Sequence, residues 1–122
     1  MTAFGREGAD ASGAEVLVIA IPGTAIDAGL ANVTGLGGQV TIDASNMYGD
    51  HVTGFDAIAH QVKSIVGGPT AKAFSTNFAS LYDAVDAEPV PPASLFASDR
   101  EARATVERLI RDAGFDPIYL GA

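Results

Sequence analysis

Three short segments carry the residue types most able to do chemistry: Ile21-Pro22-Gly23-Thr24, Ala44-Ser45-Asn46-Met47 and Ala73-Phe74-Ser75-Thr76-Asn77. Each follows an apolar run. If those runs are parallel strands, the segments line one crevice edge at the strands' carboxyl ends, where open parallel sheets bind ligands. Small residues, exposed backbone N–H groups and short hydroxyl or amide side chains suit a planar aromatic ring held by hydrogen bonds and stacking. The same residue types also populate ordinary strand-exit turns, so composition leaves both readings open. Two charged residues sit within the runs. Asp43 lies in a strand that otherwise looks buried, where an unpaired carboxylate is costly, so it is expected to accept hydrogen bonds from the loop that follows, with ligand contact as the alternative. Lys72 lies near the carboxyl end of an apolar strand, where its cation could meet a ligand's phosphate or carboxylate, or snorkel to an acid.

Other chemistries lack their residues. Gly35, Gly37 and Gly38 precede a strand instead of opening a helix, so they read as a helix-to-strand turn and not as a phosphate loop, which needs a helix N-terminus behind it. Neither GxGxxG nor GxxxxGK[ST] occurs in the chain. His51 and His60 are the only histidines, and their spacing matches no metal site. Ser45 and Ser75 lack the GxSxG elbow and a neighbouring histidine, which disfavours acyl-enzyme hydrolysis. The absence of cysteine rules out disulfides, thiolate nucleophiles and cysteine-ligated metal.

The elements that must position these residues follow from periodicity. Glu15 to Ile21 is a continuous aliphatic run, read as a strand buried on both faces. Ile26, Leu30 and Val33 then mark the stripe of a short helix, with Thr24 able to cap it. Gln39 to Ala44 is a second strand. Phe55 to Val66 keeps a helical period until Gly67-Gly68-Pro69 stops it. Thr70 to Phe74 is a third strand, and Ser75 to Tyr82 reads as a loop or short helix. Glu88 to Pro92 is extended, because each proline pushes its predecessor out of the helical region. Ala93 to Ala97 is a fourth strand. Ser98 with Glu101 predicts a capping box for a helix whose stripe runs Ala102, Val106, Leu109, Ile110 and Ala113 to Gly114. The alternating signs of Arg100 to Asp112, with Glu107 and Arg111 at i, i+4, mark its solvated face. Asp116 to Leu120 is a last strand, whose proline points to a sheet edge or to a strand's entry position. Alternating strands and helices predict an α/β domain with a mostly parallel sheet of about five strands flanked by helices.

At 122 residues the chain is sized for one domain. Its 48% apolar and 18% charged residues exclude the composition of disorder. A net charge of −8 argues against nucleic acid or an anionic membrane as the main partner. The first fourteen residues, Met1 to Ala14, read as a flexible segment with no apolar signal-peptide core, and no apolar run is long enough to span a membrane. A soluble, cytoplasmic protein is expected.

The ordered set EVLVIAIPG, GGQVTIDASN, TAKAFSTNF and SLFASDREARATVERLIRDAGFDPIYLG, spread over Glu15 to Gly121, resembles the distal half of the NADP-binding domain of NADPH-dependent coenzyme F420 reductases, the F420-dependent NADP oxidoreductases. That resemblance implies a partial Rossmann-like domain over 15–122 with the first βαβ unit missing. It also implies hydride transfer between NADP(H) and a deazaflavin (coenzyme F420) or flavin. By the same resemblance Ile21, Pro22 and Gly23 flank the nicotinamide and ribose, and Ser45 and Asn46 sit where the two rings meet. Lys72, Ala73, Phe74, Ser75, Thr76 and Asn77 face the second ligand, with Ser75 standing where the family frequently has Asn. No general base is implied, since the cofactors carry the chemistry. Weak or absent NADP(H) binding is expected of this chain alone, because the glycine-rich unit of the family lies upstream of the part corresponding to Glu15. The strand Val16–Ile21 would then be a bare apolar edge, available to a homodimer or a hetero-partner. The competing expectation is a non-catalytic α/β dimerisation or interaction module that keeps only the fold.

Overall fold

A computed structural model describes residues 9–46, 54–77 and 79–122. Five strands form one sheet in the order β1 (Val16–Ile19), β2 (Val40–Asp43), β3 (Thr70–Lys72), β4 (Ala93–Ser98) and β5 (Asp116–Tyr119). Neighbouring pairs are parallel except β3 and β4. The helical connections α1 (Ile26–Ala31) and α2 (Ile58–Val66) return the chain to the opposite end of the sheet, which keeps β1, β2 and β3 parallel. The segment after β3 behaves differently. Its helix α3 (Ala79–Ala84) starts and finishes on the crevice side, so β4 runs back antiparallel before α4 (Arg100–Asp112) restores a parallel pairing with β5.

Two apolar layers hold the sheet. On one face Leu17 and Ile19 of β1 pack with Ile26 and Leu30 of α1 and with Ile58, Val62 and Val66 of α2. On the other, Ile42, Ala71, Ala73 and Phe96 meet Ala102, Val106 and Ile110 of α4, joined by Val85 and Phe115. The buried α4 residues fall at i, i+4 and i+8, within the stripe the sequence predicts. Gly67 ends α2 in a left-handed conformation, φ 83°, and its N–H donates to the Lys63 carbonyl at 2.8 Å, as a C-terminal glycine should. Gly35 and Gly38 also have positive φ and turn the chain from α1 into β2.

Several expectations need correction. β1 is not buried on both faces: Val18 is 53% exposed, because α4 and α3 cover the sheet from β2 outward and leave that side of β1 open. Helix α2 begins at Ile58, and Phe55 is exposed ahead of it. The third strand ends at Lys72, since Phe74 takes φ 62° and cannot continue an extended ladder. The capping box does not form. Ser98 is the buried last residue of β4, Asp99 occupies the N-cap, and neither side chain caps the helix. The Asp99 carboxylate is instead drawn to Thr70 N–H at 2.9 Å and Lys63 Nζ at 2.6 Å.

Candidate functional site

The carboxyl ends of β1, β2 and β3 lie side by side, so the three segments singled out from sequence do meet along one edge. The first, after β1, passes half-buried Ile21 and exposed Pro22 to buried Gly23, which opens a short 3-10 turn, Gly23–Ala25. Ala44 N–H donates to the Ile19 carbonyl at 2.9 Å, and Ala73 N–H to the Asp43 carbonyl at 3.1 Å, which continues the pairing of the strands into their exit loops.

At the centre is Asp43, fully buried at the end of β2. One carboxylate oxygen, Oδ1, accepts the backbone N–H of Ser45 at 2.9 Å and also the Ser45 hydroxyl. The other, Oδ2, lies 3.2 Å from Lys72 Nζ, which in addition donates to the Ser45 carbonyl. Both sequence readings of these residues therefore resolve toward structure: the loop satisfies Asp43, and Lys72 pairs with an acid. The Lys72 side chain remains one-third exposed, so its ammonium borders the crevice while its charge is already matched.

Asn46 is exposed next to this cluster, and its Nδ2 donates to the Ser75 carbonyl at 3.3 Å, joining the β2 and β3 exits. The β3 loop is held from two further sides. Asn77 Nδ2 donates to the Ala93 carbonyl at 3.1 Å, and the Tyr82 hydroxyl donates to the Phe74 carbonyl at 3.4 Å. Burial pushes the Tyr82 phenol above its ordinary range. These clamps surround Phe74, a bulky residue in the left-handed region, a conformation that persists only where the surroundings over-determine it. Ala73 is buried in the core beneath, Ser75 is half-buried and Thr76 is exposed.

The sequence pointed to every one of these segments but missed Tyr82 as a clamp, because its partner is a backbone carbonyl that no spacing rule exposes. His51 and Met47 lie outside the described residues. His60 is exposed on α2. Among the described residues no three His, Cys, Asp or Glu side chains are grouped to hold a metal, and no helix is long and apolar enough to cross a membrane.

A dinucleotide's two ends can be tested against this edge separately. The apolar flanks of half-buried Ile21 and Phe74 and the exposed Asn46 carboxamide suit a flat heteroaromatic ring bearing an amide, with Gly23, Ser45 and Ala73 small and buried beneath. The phosphates find less. The three exit segments contain no arginine or lysine beyond Lys72, which Asp43 already engages.

The three layers and strand ends define a Rossmann-like α/β fold. No family model matches the chain, and no curated protein matches it. Among solved structures it is similar to a hypothetical protein of Sinorhizobium meliloti, with 28% identity and a TM-score of 0.76 over 92% of this chain and 58% of that one. It is also similar in fold to a protein of Arthrobacter sp. FB24 named provisionally as an F420-dependent NADP-reductase, with 24% identity and a TM-score of 0.70 over 91% and 57%. The chain therefore spans somewhat over half the length of these neighbours.

Proposed function

We propose that this chain supplies the nicotinamide-facing half of a hydride-transfer site, in which NADP(H) exchanges hydride with a deazaflavin such as coenzyme F420, or with a flavin. The observation that carries this reading is the Asn46 to Ser75 bridge across the carboxyl ends of β2 and β3, which builds one neutral, amide-bearing edge at the place where open α/β sheets bind ligands. The fold it shares with the Arthrobacter protein, whose name carries NADP and F420, lends support.

NADP(H) when bound would supply or accept the hydride, so the residues here orient and exclude water. Ile21, Pro22 and Gly23 flank the nicotinamide and ribose, with the small size of Gly23 allowing close approach. Ser45 is committed to Asp43 and shapes the loop, while the Asn46 carboxamide both donates and accepts where the rings meet. Lys72 borders the second ring, and Phe74, Ser75, Thr76 and Asn77 form its side of the crevice, with Ala73, which the sequence also assigned there, buried in the core beneath them. The phosphate-binding groups come from elsewhere, either the additional length seen in the structural neighbours or a second chain.

A second reading, a non-catalytic interaction module, is favoured by one observation: β1 pairs only with β2 among the described residues and carries exposed Val18, which makes it a template for a strand from another copy or a hetero-partner. NADPH titration followed by nicotinamide fluorescence, on the chain and on its Asn46→Leu variant, separates the two. Saturable binding that Asn46→Leu abolishes supports the hydride-transfer reading. Binding indifferent to that change, or a stable dimer blind to NADPH, leaves the interaction module, whereas a monomer that binds none up to millimolar NADPH is half a site and is titrated again with the phosphate-binding half added.

A further inference from the structure

We infer that Asp43, which reaches no ligand-facing surface, is the positioning residue of the crevice and acts through Asn46. The inference rests on the nicotinamide reading above for its ligand, but its structural half stands alone. A fully buried carboxylate at a strand end is costly, and an apolar residue would fill the same space without that cost. Asp43 is not spent on the core. Among the described residues its side-chain hydrogen bonds all lead to the β2 exit: the Ser45 N–H at 2.9 Å, the Ser45 hydroxyl, and Lys72 Nζ at 3.2 Å, which itself donates to the Ser45 carbonyl.

Ser45 is thereby fixed at its N–H, its side chain and its carbonyl at once. The next residue is Asn46, the exposed carboxamide that bridges to the Ser75 carbonyl. Ser75 follows Phe74, whose left-handed backbone needs restraint from outside. A path of hydrogen bonds therefore runs from Asp43 through Ser45 and Asn46 to the strained β3 loop. The Lys72 ammonium faces the second carboxylate oxygen while Ser45 donates to the first, so Asp43 accepts at both oxygens. Asp43→Asn retains an acceptor for the Ser45 N–H but leaves Lys72 unmatched, whereas Ser45→Ala removes only the hydroxyl contact.

The experiment uses the isotope-labelled full chain. Amide spectra of wild type, Asp43→Asn and Ser45→Ala are recorded, with the Asn46 side-chain amide as the reporter, and each protein is titrated with NADPH. The expected result is that both variants keep the dispersed spectrum of the folded chain, shift the Asn46 amide toward its solvated position, and weaken NADPH by about tenfold or more. An unmoved Asn46 amide in folded variants overturns the inference. So does a displaced amide with unchanged NADPH affinity. If Asp43→Asn does not fold, Ser45→Ala decides on the same two readouts. If wild type does not bind NADPH, the Asn46 amide decides alone, a displaced one upholding the positioning path and an unmoved one overturning it; wild-type binding that Asn46→Leu leaves unchanged defeats the nicotinamide reading instead.

Discussion

Gly68 has no side chain because none would fit. A Cβ there would lie 2.2 Å from the Gln39 carbonyl oxygen and 2.4 Å from the Gly38 carbonyl oxygen, both backbone atoms that cannot swing aside. The close approach seats the end of α2 against the start of β2, and through it the register of the strand that carries Asp43. Gly68→Ala should therefore destabilise the chain by about 1–3 kcal/mol, the usual penalty for overpacking. Gly37→Ala, whose Cβ would meet nothing closer than 4.0 Å, serves as the control and should be nearly neutral. Urea unfolding of both variants checks the pair, and equal midpoints would refute the packing argument. Gln39 is the other residue that organises this corner. Its side chain accepts the Gly37 N–H at 2.7 Å and donates to the carbonyls of Gly35 and Ala11, tying the glycine turn to the segment before β1.

At the scale of elements, Asp99 joins three of them. Its carboxylate takes the Lys63 ammonium of α2 and the Thr70 N–H at the start of β3, from a position at the N-terminus of α4. The hydrogen bond from Lys63 holds its carboxyl below the usual carboxylate range, with the Thr70 N–H adding to the effect and partial burial opposing it. Because the folded value lies below the unfolded one, this contribution is fully present above about pH 4 and is lost as pH falls through the folded value. Asp99→Asn should cost about 1 kcal/mol at neutral pH, as a partly exposed ion pair with one backbone bond implies. Thermal unfolding of wild type and variant should converge as the pH is lowered toward about 2–3. A gap in stability that persists unchanged in acid would show that the ion pair is not its source. On the solvated face of α4, Glu107 accepts from Arg103 at 2.8 Å and approaches Arg111 at 3.9 Å. The i, i+4 pattern is thus present in both directions, with the pair not named from sequence the shorter.

For the whole molecule the open question is the edge. β1 exposes one row of backbone groups and Val18, and net charge −8 sets any second copy against electrostatic repulsion. If β1 pairs with β1, association should strengthen as salt screens that repulsion, and Val18→Lys should weaken it by placing a like charge on each side of the new ladder. Sedimentation mass at low salt and at roughly 0.5 M salt, for both proteins, tests this. A chain that is monomeric throughout would leave no role for edge pairing between copies. The other edge, β5, differs. Leu95 and Ile118 are exposed on the sheet face that α1 and α2 leave uncovered beyond β3, but the strand carries Pro117 at its second position, which cannot donate to a further ladder.

What the sequence determined by itself is the succession of elements. The aliphatic runs of β1 and β2, the i, i+4 stripe of α4 and the stop at Gly67 are local patterns, set by the periods of helix and strand and by the backbone conformation that glycine permits. Asp43 was legible for the same reason: a carboxylate within an apolar run must find donors nearby, and Ser45 is two residues on. Only the tertiary structure decided what lies across the sheet. The exposure of Val18 depends on how far α4 reaches, and the empty capping box depends on β4 keeping Ser98 as its last residue while Thr70 and Lys63 draw the Asp99 carboxylate from the cap. The Asn46 to Ser75 bridge and the Tyr82 clamp on Phe74 join residues from different elements, or a side chain to a carbonyl that any residue would offer. Such contacts are fixed by strand order and register, which bring together atoms that the linear chain keeps apart.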